Sequence, residues 1–243
     1  MADQIEGRNP VLEALKAEVP INRILVEKGE KRGSILKIIS VAKETDVEIR
    51  ETDKRELDKR SKTYNHQGVI AETAEYKYAN INDVINNITK KKEDALIVIL
   101  DGLEDPYNLG SIIRTSEVMG VHGVVIPKRR SASVTPLVIK SSAGATAHVP
   151  IARETNLNRT VDMLKDKGFW IAGADMGGTP VYEASLTGPL ALVIGSEEKG
   201  ISRLLKEKCD FLVSIPMAGE ISSLNAATAS AVILYEICRQ RNS

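Results

Sequence analysis

Three apolar runs in the second half of this 243-residue sequence each lead into a polar, glycine-containing loop and then into a helix-like segment. The segments are 101–116 (DGLEDPYNLGSIIRTS, which follows the run LIVIL), 191–202 (ALVIGSEEKGIS) and 214–227 (SIPMAGEISSLNAA). Continuous apolar runs of this kind are typical of strands buried on both faces of a parallel sheet. Because ligands of such sheets bind at the carboxyl ends of the strands, the three loops predict one composite site.

Strand and helix patterns alternate through the whole sequence. From residue 95 onward, strands are predicted at 96–100, 123–126, 148–151, 170–174, 190–194 and 211–215, with helices between them. This order predicts an α/β domain with a mostly parallel, doubly wound sheet. A smaller α/β unit precedes it, with strands predicted at 22–27, 47–50 and 68–71. We therefore predict one domain over residues 1–74, a linker over 75–94 and a second domain over 95–243.

Composition excludes several classes of protein. The formal net charge is zero and aromatic residues are scarce, which disfavours a platform of stacked rings for reading bases. Most basic clusters favour solvated faces, but Lys128-Arg129-Arg130 directly follows a strand of the domain that holds the three loops. Cys209 and Cys238 form no disulfide framework and favour a reduced, cytoplasmic compartment. Neither a signal peptide nor a membrane-spanning run is recognised.

Familiar cofactor and metal signatures are also missing from the sequence. There is no GxGxxG after a strand and no GxxxxGK[ST]. His66, His122 and His148 have no partner at metal-ligand spacing, and none lies in the three loops, which disfavours a Ser-His-Asp triad. The loops instead hold amides, hydroxyls, one carboxylate and one guanidinium as candidate site residues. These are Asn108, Arg114, Glu197, Ser223 and Asn225.

Each candidate has a purely structural alternative. Asn108 can be a helix N-cap, and Glu197 can be an acid that stabilises a helix start. Arg114 can be a surface charge. Its neighbours Ile112 and Ile113, however, predict a largely buried helix, in which an arginine would need a partner.

The combined pattern resembles the SpoU (TrmH) family of RNA ribose methyltransferases, in the SPOUT superfamily. The first motif, Asn-x-Gly-x-x-x-Arg, is present at 108–114, and the second, Gly-x-Glu-x-x-Gly, at 195–200. The third, Ile-Pro-Met-x-Gly followed by Ser-Leu-Asn, is present at 215–219 and 223–225. The amino-terminal unit, with GRNPVLEAL and HQGV, is similar to the substrate-binding domain of the RlmB-like branch. One departure is Ser116, where many members have alanine.

The resemblance implies a fold, a cofactor and a set of partners. The carboxyl-terminal domain is expected to be a SPOUT domain with a deep trefoil knot. The amino-terminal domain is expected to have a ribosomal-protein-like α/β fold of the L7Ae/L30e type. S-adenosylmethionine is the expected cofactor and RNA the expected substrate. A homodimer is expected in which each active site combines residues of both protomers, without a metal. The residues expected to bind the cofactor are Gly195, Ile215, Leu224, Ile194, Met217 and Ser223.

The reaction implied by the resemblance is 2′-O-methylation of a ribose, at a guanosine of large-subunit (23S) ribosomal RNA. For the family, the arginine that corresponds to Arg114 has been proposed as the base, but a guanidinium normally stays protonated. We favour a role for Arg114 in binding the ribose-phosphate and stabilising the developing oxyanion. Asn108 and Glu197 would orient it, and Ser223 and Asn225 would hold the ribose and the cofactor's edge. Transfer RNA as the substrate, or a non-catalytic ribosome-assembly role, are the alternatives.

Overall fold

The computed structural model describes residues 3–16, 19–29, 33–73, 76–91, 94–220 and 223–242, without the side chains of residues 87 and 89–91. The chain packs as two compact units. The amino-terminal unit is Met1–Lys77 with Thr135–Lys140, and the carboxyl-terminal unit is Tyr78–Val134 with Ser141–Ser243. The linker boundary predicted near Glu75 falls on a residue outside the described ranges.

The amino-terminal unit is built around a four-stranded mixed sheet. Its elements are β1 (Asp3–Glu6), α1 (Arg8–Lys16), β2 (Ile21–Glu27), α2 (Ser34–Glu44), β3 (Glu48–Thr52), α3 (Lys54–Arg60) and β4 (Val69–Thr73). The strand order is β1-β4-β2-β3, in which β2 and β3 are parallel and β4 is antiparallel to both of its neighbours.

Alternation of side chains along the strands gives this unit two small cores. Ile24 and Val26 of β2 pack with Val11 of α1 and Ile38 of α2. Leu25, which points to the other face, packs with Leu57 of α3 and with Ile70 of β4. The sheet is therefore covered on both faces.

The carboxyl-terminal unit contains a six-stranded sheet in which every strand pair is parallel. Its elements are α4 (Ile81–Lys91), β5 (Leu96–Asp101), α5 (Pro106–Val118), β6 (Gly123–Pro127), β7 (Ile151–Glu154), α7 (Leu157–Asp166), β8 (Trp170–Pro180), β9 (Leu190–Gly195), α8 (Arg203–Lys206), β10 (Phe211–Ser214) and α9 (Ala226–Arg241). A helix α6 (Pro136–Ser141) follows β6 in the chain. The strand order is β10-β8-β9-β5-β6-β7.

The predicted doubly wound, mostly parallel sheet is confirmed. Ile97 and Ile99 of β5 pack in one buried cluster with Val161 of α7 and Leu205 of α8. Leu96, Val98 and Leu100, which alternate with them, are equally buried on the other face, where α5 and α9 pack against each other. The trefoil knot stays a prediction from the resemblance.

Three elements differ from the sequence-based expectation. Strand β1 was not predicted, because its sequence DQIE lacks the apolar alternation of a half-buried strand. The strand expected at 148–151 begins only at Ile151, since a short 3-10 helix occupies Ala145–Ala147. Strand β8 continues past Ala174 to Pro180, because Gly178 lets it pass against the backbone of Leu212 in β10.

Candidate functional site: three loops at the carboxyl edge of the sheet

The three predicted loops leave the same edge of the parallel sheet. Strands β5 and β9 are neighbours, and their last residues, Asp101 and Gly195, are in register. Strand β10, which precedes the third loop, lies two positions from β9, beyond β8. The sequence expectation that all three loops follow the carboxyl ends of strands is confirmed.

One carboxylate connects the three loops. Asn108 donates from Nδ2 to Glu197 Oε1 at 2.7 Å, and the backbone N–H of Ala226 donates to the same oxygen at 3.3 Å. Asn108 belongs to the first loop and helix, Glu197 to the second loop, and Ala226 begins the helix after the third. Among the described residues, Glu197 Oε2 has no hydrogen-bond partner. Glu197 therefore both stabilises the start of α9 and fixes the Asn108 amide.

Asp105, and not Asn108, is the N-cap of α5. Its carboxylate accepts hydrogen bonds from the backbone N–H groups of Tyr107 and Asn108, and Pro106 opens the helix. The N-cap alternative for Asn108 is therefore wrong. Since an aspartate already satisfies the first turn, the Asn108 side chain is available to reach Glu197.

The second loop is folded back on itself. The Gly200 N–H donates to the Ser196 carbonyl at 2.8 Å, and Gly200 adopts a φ of +63°. A Cβ at Gly195 would lie 2.0 Å from the carbonyl carbon of Gly200, so the turn requires glycine there. The Ser202 N–H donates to Asp101 Oδ2 at 2.7 Å, which anchors the far end of the loop to the end of β5.

The third loop ends in a capped helix. Asn225 is the N-cap of α9, and its side chain accepts a hydrogen bond from the Thr228 N–H at 2.7 Å. Ser223, Leu224 and Asn225 are all exposed, and Ser223 has no hydrogen-bond partner among the described residues. Asn225 thus has a structural role, and its amide N–H groups remain available to a ligand.

Arg114 forms no hydrogen bond with the other candidates in the described part of the chain. It is exposed on α5 and has no partner among the described residues, so the expectation of a buried arginine is wrong. The physical reason is helical periodicity. The buried face of α5 carries Ile112, Ile113 and Ser116, whereas Arg114 shares the opposite side with Tyr107 and Val118.

Two cavities open at this edge of the sheet. Cavity A, of about 350 Å³, lies between the middle of β8, the carboxyl ends of β9 and β10, and the start of α9. Its lining includes all six residues predicted to bind the cofactor: Ile194, Gly195, Ile215, Met217, Ser223 and Leu224. The sequence interpretation missed Asp175 and Met176, which also line cavity A. The GADMGG run within β8 was the available signal.

The lining of cavity A suits a ligand with an apolar part and a positive charge. Ile194, Ile215 and Leu224 supply the apolar surface. Glu197 and Glu198 supply negative charge beside the cation Lys199. Asp175 is paired with Lys206, whose hydrogen bond, 2.7 Å long, lowers the pKa of the Asp175 carboxyl. S-adenosylmethionine combines an adenine ring with a cationic sulfonium, so these residues fit it.

Cavity B, of about 680 Å³, lies on the other side of the second loop. It is lined by the loop after β5, by Arg129 and Arg130 after β6, and by Thr155–Asn158 after β7. Residues 196–200 line both cavities and therefore form a wall between them. Two of the three residues of the basic cluster predicted from sequence thus lie in the lining of cavity B.

Among the described ranges, no group of three or more His, Cys, Asp or Glu side chains is arranged to hold a metal ion. No helix in that part of the chain has the length and apolar character needed to cross a membrane.

Comparisons with known proteins cover almost the whole chain. Residues 95–235 match the model of the SpoU rRNA Methylase family, and residues 4–79 match the model described as RNA 2'-O ribose methyltransferase substrate binding. The chain is 43% identical over 242 residues to YacO of Bacillus subtilis (strain 168), whose name places it among TrmH family tRNA/rRNA methyltransferases. The alignment covers 99% of this chain and 96% of that relative.

Two further similarities agree with these matches. A TrmH-family relative from Staphylococcus aureus (strain MSSA476) is 45% identical over 241 residues, which are 98% of this chain and 96% of the relative. The crystal structure of the SpoU methyltransferase AviRb from Streptomyces viridochromogenes, in complex with AdoMet, superposes with a TM-score of 0.63 at 28% identity. That similarity covers 98% of this chain and 89% of AviRb.

Proposed function

We propose that this chain methylates a ribose 2′-oxygen of a guanosine in large-subunit (23S) ribosomal RNA. The chain belongs to the SpoU family and is an RNA methyltransferase that uses S-adenosylmethionine. The observation that carries the proposal is the wall formed by residues 196–200, which separates cavity A from cavity B. A methyl donor and an RNA acceptor held on its two sides would meet at its rim. The compartment that we propose for this reaction is the cytoplasm.

Cavity A is the proposed cofactor site. When bound, S-adenosylmethionine supplies a methyl group that is already activated by its sulfonium. Ile194, Met217 and Ser223 would contact it, and the backbone groups of Gly195, Ile215 and Leu224 would hold the adenosyl part. The protein's task is then alignment of the ribose oxygen with this methyl group, which is a proximity effect.

Cavity B is the proposed acceptor site. Arg129 and Arg130 are exposed cations at the end of β6, suited to the phosphates beside the reacting ribose. Ser223 and Asn225 would hold the ribose near the cofactor's edge, while the Glu197 carboxylate fixes Asn108. The 2′-hydroxyl must lose its proton during transfer, and a nearby cation stabilises the developing oxyanion.

Arg114 is the proposed cation, and we infer that it serves the site of a second copy in a homodimer. It is exposed and lies in the lining of neither cavity. Tyr107 and Val118 are exposed on the same helix, and α9, which packs against α5, exposes Val232 and Tyr235. Exposed apolar side chains in such numbers are typical of protein interfaces.

The choice of ribosomal RNA rests on the amino-terminal unit. Its matching model describes substrate binding by RNA 2′-O ribose methyltransferases, and the catalytic model is that of an rRNA methylase family. Transfer RNA is the second candidate, because the names of the relatives include both RNA classes. A non-catalytic assembly factor would not need the connected set of Asn108, Glu197 and Ala226.

The deciding experiment is methyl transfer from labelled S-adenosylmethionine to ribosomal RNA isolated from a strain that lacks this protein. We expect one new position that resists alkaline cleavage, because a methylated 2′-oxygen cannot attack the adjacent phosphate. Arg114→Ala should lower the rate roughly 100-fold or more, if it removes an oxyanion-stabilising donor. Cofactor affinity of this variant, measured by calorimetry, should be unchanged.

Other outcomes would change the proposal in defined ways. Transfer to transfer RNA alone would keep the reaction and overturn the substrate. Cofactor binding without transfer to either RNA would support the assembly-factor role. Near-normal turnover of Arg114→Lys would contradict a requirement for the planar, bidentate guanidinium.

A further inference from the structure

An exposed tyrosine stands on the loop between α3 and β4 of the amino-terminal unit. Tyr64 is 87% exposed, more than any other large apolar or aromatic side chain of the described residues. Its φ is +58°, in the left-handed region that non-glycine residues rarely adopt. The surroundings must hold this conformation, since a strained, solvated loop would otherwise relax.

A single carboxylate holds the amino-terminal half of this loop, 61–68. Glu6 accepts hydrogen bonds from Ser61 Oγ at 2.5 Å, from the Lys62 N–H at 2.6 Å and from both the N–H and the hydroxyl of Thr63. Ser61 Oγ in turn accepts from the Tyr64 N–H at 2.9 Å. Partial burial acts to raise the pKa of Glu6, but these hydrogen bonds, with one from Gln4, lower it to about 2.

The carboxyl-terminal half of loop 61–68 is held independently. His66 is buried, and its Nδ1 accepts a hydrogen bond from the Gly68 N–H at 3.0 Å. The proton is therefore on Nε2, which lies 2.8 Å from Asp58 Oδ1. Arg8 Nε donates to the Gln67 carbonyl at 2.9 Å. The backbone on both sides of Tyr64 is fixed. A ligand that binds the ring therefore pays little entropy for ordering the loop.

Basic side chains outnumber acidic ones in the segment that leads into loop 61–68, and Glu6 and Glu72 add two carboxylates beside it. Residues 54–64 include the basic side chains Lys54, Arg55, Lys59, Arg60 and Lys62, against the two acids Glu56 and Asp58. Arg60 is neutralised by Glu56 and Glu72. Lys59 and Lys62 are exposed and form no ion pair among the described residues. These two lysines are therefore available to an external anion.

We propose that loop 61–68 binds single-stranded RNA, with the Tyr64 ring stacked on one unpaired base and Lys59 and Lys62 bound to neighbouring phosphates. This inference rests on the proposed function only in taking RNA as the substrate. A protein partner is less suited to the loop, because Tyr64 is flanked by the polar Thr63 and Asn65 and lacks the apolar surroundings of an interface core. A lone aromatic ring with nearby cations is a combination that binds a base and its phosphates.

The test is the dissociation constant of the full-length protein for protein-free large-subunit ribosomal RNA, by filter binding. Tyr64→Ala should raise it about 10-fold, as loss of one stacked base predicts. Tyr64→Phe should stay close to wild type, because it keeps the ring. The matched control is Leu36→Ala, which removes another exposed apolar side chain of this unit, 53% exposed on α2, and should change nothing.

Salt dependence gives a second readout. Lys62→Gln should reduce the slope of log K against log salt by about 0.7, the value for one phosphate contact on a single strand. An RNA dissociation constant of Tyr64→Ala equal to wild type would overturn the proposal, and would favour a protein contact instead. So would RNA binding by Tyr64→Phe as weak as that of Tyr64→Ala, since the ring would then not be the group that contacts RNA. The S-adenosylmethionine affinity of both variants should equal that of the wild type, which shows that they are folded.

The proposed function can fail separately from this inference. If the wild type binds ribosomal RNA and S-adenosylmethionine but transfers no methyl group, the reaction is wrong. A 10-fold weaker RNA complex of Tyr64→Ala would still support the role of loop 61–68, because the binding measurement does not depend on transfer.

Discussion

Two loops differ in how their described residues are held: loop 61–68 of the amino-terminal unit and the loop at 215–225 of the carboxyl-terminal unit. In the first, Glu6 and His66 bond the loop to its own unit, while the side chains of Lys62 and Tyr64 remain exposed. In the second, Met217 and Leu224 are exposed beside cavity A. Internal hydrogen bonds fix the backbone of a loop before a ligand arrives. Exposed apolar side chains, by contrast, contribute free energy only when a ligand removes their surface from water.

The second loop of the site, 196–200, is held by hydrogen bonds in the same way as loop 61–68, although it lines cavity A together with the loop at 215–225. Its turn is closed by the Gly200–Ser196 hydrogen bond and anchored by Asp101. Glu197 then projects from a fixed backbone and accepts a hydrogen bond from Ala226, the first residue of the helix that follows the loop at 215–225. A wall that is held by hydrogen bonds at both ends can keep two ligands, one on each side, in a defined relation.

The largest expected effect comes from breaking that wall. Gly195→Ala would place a methyl carbon 2.0 Å from the Gly200 backbone, so the turn must open. We expect a loss of about 3 kcal/mol in the free energy of unfolding and loss of cofactor binding. Urea unfolding and calorimetry with S-adenosylmethionine would measure the two effects.

Gly219→Ala is the matched control for stability. A Cβ at Gly219 would have no atom of the described residues within 4 Å, so the free energy of unfolding should change by less than about 0.5 kcal/mol. If Gly195→Ala were as stable as this control and still bound the cofactor, the wall would not depend on a glycine at position 195, and its contrast with the loop beside it would be lost.

A smaller effect is expected from removing the carboxylate that joins the loops. Glu197→Ala leaves the Asn108 amide without its acceptor and should lower methyl transfer roughly 100-fold, as does loss of an orienting group in other active sites. The Glu197→Ala protein is then mixed with the Arg114→Ala protein, and the methyl-transfer activity of the mixture is measured. If Arg114 serves the partner's site, random reassortment of dimers restores about a quarter of the sites.

Activity of that mixture decides whether the two residues act across the dimer. No recovery, despite exchange of subunits, would contradict the inference that Arg114 serves a second copy. Glu117→Ala, an exposed change on the same helix as Arg114, is the control and should have wild-type activity alone and in mixtures.

The sequence predicted the sheet and the loop positions because these depend on local patterns. The run 96–100 indicated a strand buried on both faces, and Leu96–Asp101 is buried along its first five residues. The side chains that line cavity A were predicted only through the family resemblance, since no periodicity indicates that Ile215 and Ile194 share a cavity.

The contacts that give the site its geometry could not be predicted in the same way. Which of Asp105 and Asn108 caps α5 depends on where the helix begins, and both are good N-cap residues. The exposure of Arg114 depends on the face of α5 that carries it. The neighbouring Ile112 and Ile113 lie on the buried face and led to the opposite expectation. The role of Glu6 depends on contacts with residues 61–63, far away in the sequence, and nothing local to DQIE indicates it.

The smallest expected effect is a pH dependence confined to loop 61–68. The pKa of Glu6 is about 2 in the folded protein against 4.5 for an ordinary glutamate, so its contribution to stability is complete above about pH 4.5 and is lost as the pH falls towards 2. Glu6→Gln should lower the free energy of opening this loop by roughly 1 to 2 kcal/mol at neutral pH, and the difference from wild type should vanish in acid.

Amide hydrogen exchange of Lys62 and Thr63 measures this opening directly, because both N–H groups donate to Glu6. Glu48→Gln, a change of an exposed glutamate on β3, should leave their protection as in the wild type. Equal protection of these amides in Glu6→Gln at neutral pH would show that loop 61–68 does not depend on the carboxylate. The order of the loop would then have to come from His66 and Arg8, and the contrast with the open loop at 215–225 would rest on those residues.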